Sequence, residues 1–145
     1  VVGLMCLKVF CKGDETLYDE LFNYARSLGS AFQKVNFLRD ISSDTNELGR
    51  IYFPELTQSH LSEEVKSILI RSIEQDFAHA KIGIDRLPGN AKIAVLLAYR
   101  YYLSLLEKLK KTPADQILHR RIRISDTKKI FILSKVIISN KLKIA

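Results

Sequence analysis

The 145-residue chain has no tryptophan, one methionine, two cysteines, three histidines, three prolines and six glycines. Two cysteines are too few for a disulfide scaffold. Cys6 and Cys11 also lie in an apolar stretch without metal-ligand spacing, so they read as small buried hydrophobes of a reducing compartment. Scarce proline and glycine beside 47% hydrophobic side chains exclude collagen-like repeats and disorder, and leave enough apolar content for a core. No uninterrupted apolar run reaches the ~18 residues that a membrane span needs. His60, His79 and His119 are scattered and read as surface or capping residues. The opening VVGLM carries neither an initiator Met nor the basic and small-residue marks of a leader peptide, and reads as the start of a segment of something longer.

Acidic charge is scarce at one end only. From Lys108 to Ala145 there are eleven Lys/Arg against two acids, a net of +9, whereas residues 1–107 hold twelve bases and fourteen acids, a net of −2. The overall +7 is therefore a basic tail on a nearly neutral body. A solvated helix face explains such a tail most simply, and peripheral contact with an anionic membrane is the next reading. Nucleic acid is not expected, because the tail lacks a reading motif and the body is not basic.

Apolar residues recur at spacings of three and four nearly everywhere, which predicts an all-α chain. The expected helices run over Val1 to Phe10, from a Thr16/Asp19 capping box toward Asp44, over Ser62 to Leu87, over Ala91 to Lys110, and from Asp126 to Lys141 behind Ser125 as N-cap. Lys12-Gly13, Arg50 to Ser59 around Pro54, Pro88-Gly89 and Pro113 mark the breaks.

The second helix carries the chemistry. At roughly 100° per residue, Gln33, Asn36, Asp40 and Asp44 fall within an arc of about 80°, with Ala31, Val35 and Leu38 on the opposite side. Two carboxylates and a carboxamide one turn apart form an all-oxygen donor set for a hard cation. Mg²⁺ suits it best, being held commonly by one or two carboxylates plus substrate phosphates. Arg39 and Arg50 flank the stripe, where guanidinium can meet phosphate bidentately. A solvated polar face is the plainer alternative, but Gln and Asn are poor solubilising choices in a helix this apolar.

The run Gln33-Lys34-Val35-Asn36-Phe37-Leu38-Arg39-Asp40-Ile41-Ser42-Ser43-Asp44, followed by Gly49-Arg50-Ile51-Tyr52-Phe53-Pro54, resembles the second aspartate-rich motif of the squalene/phytoene synthase family. VVGLM, Leu87-Pro88 with AVLLAYRYYLSLLE at Ala94 to Glu107, and the run of Arg120, Arg121, Arg123, Ser125 and Lys129 resemble three further segments of that family, in order. The resemblance implies an isoprenoid-synthase helical bundle in which two aspartate-rich helices clamp Mg²⁺ on the diphosphate of a prenyl donor. It implies head-to-head joining of two C15 or C20 prenyl diphosphates to a squalene, dehydrosqualene or phytoene skeleton, with NADPH needed only if the product is squalene. By the same resemblance, Asn36, Asp40 and Asp44 are metal ligands, with the two aspartates catalytic. Gln33 and Arg39 touch the diphosphate, Arg50 and Tyr52 close the mouth, and Tyr99 lies near the prenyl chain or the diphosphate.

The family's first aspartate-rich motif lies upstream of the VG.M segment, so residues 1–145 correspond to the C-terminal half of a domain. Half a metal site is expected here, without turnover unless the N-terminal half is supplied. A prenyl-diphosphate-binding or assembly-factor member without catalysis is the alternative. The expected location is cytoplasmic, peripheral at a membrane, and apolar helices 1 to 10 and 91 to 110 are expected to leave a groove uncovered.

Overall fold

A computed structural model describes residues 2–47 and 61–141, excluding the side chains of residues 42–47, 140 and 141. Among the described residues there are six helices and no strand: α1 (Val2–Cys11), α2 (Glu15–Glu47), α3 (Glu63–Arg86), α4 (Gly89–Lys111), α5 (Ala114–His119) and α6 (Asp126–Lys141). The all-α expectation therefore holds.

Helix α1 ends in a tight turn at Lys12 and Gly13, both with positive φ (50° and 91°). The next residue caps α2, since Asp14 Oδ1 accepts the Leu17 N–H at 2.9 Å. That corrects the expected Thr16/Asp19 box: Thr16 already lies inside the first turn, and the carboxylate just outside the helix captures the free N–H. Ser62 caps α3 by accepting from Val65 N. The short α5 was not foreseen, because six residues give no period to read. Pro113 precedes it, and Ala114 and Ile117 anchor it in the core.

Helix α2 is the axis of the molecule and packs against α1, α3, α4 and α5, while α6 lies on α4. Ala31, Val35 and Leu38, the face expected to be apolar, are 0% exposed. They meet Ile73 and Phe77 of α3, Leu105 and Leu106 of α4 and Ile117 of α5 in one core, each large side chain contributing about 1.5–3 kcal/mol. A smaller cluster of Leu7, Cys11 and Leu21 ties α1 to α2. Of the two cysteines only Cys11 is buried; Cys6, expected to be buried as well, is exposed. The histidine reading fits for His79 and His119, both exposed, while His60 lies outside the described residues. His79 Nδ1 sits 2.8 Å from Ser27 Oγ and its ring packs on Tyr24.

Two further contacts fix α2 against α3. Asp76 accepts from Lys34 Nζ and Ser30 Oγ, both at 2.8 Å. Two turns nearer the α3 C-terminus, Gly83 lets the helices touch, because a β-carbon there would lie 2.3 Å from Tyr24 Cβ. Near the start of α3, buried Lys66 donates to the Thr112 carbonyl at 2.7 Å, and Glu63 accepts from Ala114 N at 2.6 Å, pinning α3 to the α4–α5 junction.

Apolar surface remains uncovered on α1, where Val2, Met5 and Val9 are exposed, and on α6, where Ile130, Phe131 and Ile138 are. No described helix is long and apolar enough to cross a membrane.

Gly83→Ala tests the α2–α3 crossing. In an open helix this change gains roughly 1 kcal/mol, but the clash with Tyr24 reverses the sign, and a loss of about 1–3 kcal/mol is expected in urea unfolding.

Candidate functional site

Between α1, α2, the C-terminal end of α3 and the start of α4 runs an open cleft of about 1390 Å³. Its walls are largely apolar, from Leu4 and Leu7 of α1 through Leu28 and Phe32 of α2 to Val95 of α4. This is the uncovered groove that the apolar helices led one to expect. Gln33, Asn36 and Asp40 all face it, because burying Ala31, Val35 and Leu38 turns the opposite side of α2 outward. Asp40 is the one carboxylate among its described lining residues.

The arginines that hold Asp40 belong to a second recess of about 420 Å³, lined by Arg39, Tyr101, Arg121, Arg123, Asp126 and Lys129 among others. Arg39 Nε donates to Asp40 Oδ1 at 2.9 Å while its NH2 group reaches Oδ2, and Arg121 Nε lies 2.7 Å from Oδ1. Burial by itself would raise the Asp40 pKa. The two guanidiniums outweigh it and hold the carboxyl below the usual carboxylate range, so Asp40 is ionised throughout the neutral range.

The structure therefore brings together Gln33, Asn36, Arg39 and Asp40. Tyr99 does not join them: it is only 7% exposed and packs edge-on against Phe77 at 5.4 Å, and burial raises its pKa. Tyr99 thus lies in the core facing α3, and it is Tyr102 of α4 that lines the cleft. Its hydroxyl donates to Asn36 Oδ1 at 3.2 Å and its ring stacks on Phe32 at 4.0 Å, within the cleft wall. Tyr102 and Arg121 are the site residues that the sequence did not single out. Arg121 had a signal in the Arg120–Lys129 run, but its contact with Asp40 spans 81 positions. Arg50, Tyr52 and the Asp44 side chain lie outside the described residues.

Asn36 and Asp40 suit a hard cation by donor chemistry. Both offer oxygen from one helix face, and the Tyr102 hydroxyl takes only one of the two lone pairs on Asn36 Oδ1. Among the described residues no group of three or more His, Cys, Asp or Glu could enclose a metal by itself. The chain's donors thus fit Mg²⁺ bound jointly with substrate phosphate oxygens, rather than a closed protein cage.

A carboxylate whose folded pKa is lowered adds stability that is present above its unfolded pKa and is lost as pH falls through the folded value. Asp40→Asn is therefore expected to reduce stability at pH 7 and to flatten the fall in melting temperature below about pH 4, read by thermal unfolding in chelator.

The chain is 29% identical over 151 residues to a bifunctional lycopene cyclase/phytoene synthase of Blakeslea trispora, a match covering 92% of this chain and 25% of that protein. It is 28% identical to a 15-cis-phytoene synthase of a Paracoccus species, covering 92% of this chain and 46% of the relative. A chloroplastic phytoene synthase of Narcissus pseudonarcissus is 33% identical over 126 residues, 73% of this chain and 30% of that protein. The chain thus spans a quarter to about half the length of these relatives. No solved structure matches. The family model for squalene/phytoene synthase matches residues 1–128, which include the polar stripe of α2, the α4 tyrosines and the three arginines Arg120, Arg121 and Arg123, and the chain belongs to that family.

Proposed function

We propose that this chain forms the second aspartate-rich wall of a prenyltransferase that joins two prenyl diphosphates head to head. One observation carries the reading: a polar end at Asn36 and Asp40 opens onto a long apolar cleft, with guanidiniums clustered directly behind the carboxylate. A prenyl diphosphate is a strong anion on an apolar tail, and needs both environments in that order. At about 1390 Å³ the cleft exceeds the roughly 300–1,000 Å³ common for small-ligand pockets, which suits a C15 or C20 tail.

Asn36 and Asp40, with Asp44 from the following turn, are assigned to hold Mg²⁺. Bound there, the metal supplies Lewis-acid stabilisation of the diphosphate leaving group. The chain's own groups do the rest. Arg39 and Arg121 turn from Asp40 to the phosphate oxygens, where bidentate contacts favour the charge that grows as the carbon–oxygen bond breaks and its electron pair leaves with the diphosphate. The apolar walls exclude water from the allylic cation left behind, so the double bond of the second donor captures it to form the new carbon–carbon bond, and the tertiary cation that results closes a cyclopropane by losing a proton to the released diphosphate. Gln33 is assigned to contact the diphosphate from one turn before Asn36 on α2. Arg50 and Tyr52 are assigned to the mouth. NADPH is required only for a squalene product. The exposed Ile130, Phe131 and Ile138 of α6, beside Lys128 and Lys135, are the surface we assign to peripheral membrane contact.

A second reading has an observation of its own. Asp40 is already paired with two arginines, and is the single carboxylate among the described cleft residues, which suits a member that binds prenyl diphosphate without turning it over. Product analysis with C15 and C20 donors separates the two.

The full-length protein, titrated with a non-hydrolysable farnesyl diphosphate analogue and Mg²⁺, is expected to gain melting temperature. At a hundredfold excess over Kd the gain corresponds to about 2.7 kcal/mol. Mg²⁺ alone should give almost none, because the two guanidiniums offset the Asp40 charge. Asp40→Ala should abolish the gain, and an undiminished gain in that variant refutes the site.

A further inference from the structure

Apart from Gly89, the first residue of α4, three glycines lie within described helices: Gly3 in α1, Gly29 in α2 and Gly83 in α3. Each weakens its helix relative to alanine, so each calls for a reason. Helix contact supplies it twice. A β-carbon on Gly83 would collide with Tyr24, and one on Gly3 would press on the Ala25 carbonyl at 3.3 Å. Gly29 is different: its Cα faces Gly3 across the α1–α2 contact, 3.8 Å from where a Gly3 β-carbon would lie, but among the described residues a β-carbon on Gly29 itself would meet no atom within 4 Å, and Gly29 forms part of the wall of the cleft that Asp40 closes at its polar end. The missing side chain therefore serves empty space, and that space belongs to the cleft.

Its position along the helix has a chemical length. Eleven residues separate Gly29 from Asp40, about 16 Å at the rise of an α-helix. A diphosphate joined to Asp40 through a cation takes up roughly 5 Å of this. Each isoprene unit adds four main-chain bonds of about 1.5 Å, which project to about 5 Å in an extended tail. The first two units then fit between Asp40 and Gly29, and the third lies across Gly29.

Building on the transferase reading above, we propose that Gly29 determines prenyl specificity: the open space at its Cα admits the third isoprene unit of a donor, and so sets the cleft to C15 and longer tails rather than C10. Leu28, Phe32 and Ala25 line the same stretch with side chains, which leaves Gly29 as the position where added bulk most directly shortens the channel.

The test uses the full-length protein with Mg²⁺ and non-hydrolysable geranyl, farnesyl and geranylgeranyl thiolodiphosphates, with Kd read by calorimetry for wild type, Gly29→Ala and Gly29→Leu. In Gly29→Leu, affinity for the C10 analogue is expected to stay within about twofold of wild type, while the C15 and C20 analogues weaken at least tenfold. Gly29→Ala should fall between, and the ligand-free melting temperature of both variants should equal or exceed that of wild type. Equal weakening at all three lengths, or at none, overturns the proposal. So does a lower ligand-free melting temperature in Gly29→Ala, since it means that another segment packs on this glycine. A wild-type protein that binds none of the three analogues overturns the transferase reading itself, and this proposal with it.

Discussion

Helix α2 has to bury Ala31, Val35 and Leu38 against three other helices, and almost everything about the site follows from that demand. In a helix the direction of one residue sets the direction of its neighbours. Once the apolar face is committed to the core, Gln33, Asn36 and Asp40 must face the cleft. Their side chains then line a surface whose other walls are apolar, and the contrast between polar end and apolar length is a property of a single helix in its place. The crossing with α3 holds that place, through Gly83 against Tyr24 and through Asp76 with Lys34 and Ser30.

The Asp40 cluster is a different kind of arrangement, because its balance of charge is not neutral. Two guanidiniums on one carboxylate leave positive charge unspent at the junction of the cleft and the basic recess. Such a cluster repels a lone divalent cation and attracts a polyanion, which is why the proposed function assigns metal and diphosphate to it jointly. The same excess explains why part of the basic charge counted in the C-terminal region is not a solvated face. Arg121 folds back onto Asp40 of α2 and Arg123 lines the adjoining recess, whereas Lys128 and Lys135 remain on α6.

The aromatic residues of α4 show how much a small rotation decides. Tyr99 and Tyr102 are three positions apart, close enough in direction that no sequence pattern separates them. Packing does: Tyr99 turns to Phe77 of α3, and Tyr102 turns to Asn36 and Phe32 of α2. Of the two, the family resemblance pointed to the tyrosine that became core. Thr16 and Asp14 differ by a similarly small step, decided by where the Lys12–Gly13 turn ends.

What the sequence determined by itself is whatever depends on neighbours along one helix. The all-α character, the buried face of α2, the polar stripe opposite it, the Ser62 cap and the breaks at Gly13 and Pro88 all come from local spacing and local turn chemistry. The tertiary structure decided what needs distant residues to meet. Arg121 on Asp40, Tyr102 on Asn36, α5 held by Ile117 in the core, and the open space at Gly29 each depend on how helices cross, and a crossing angle is set by the summed packing of many side chains rather than by any one segment.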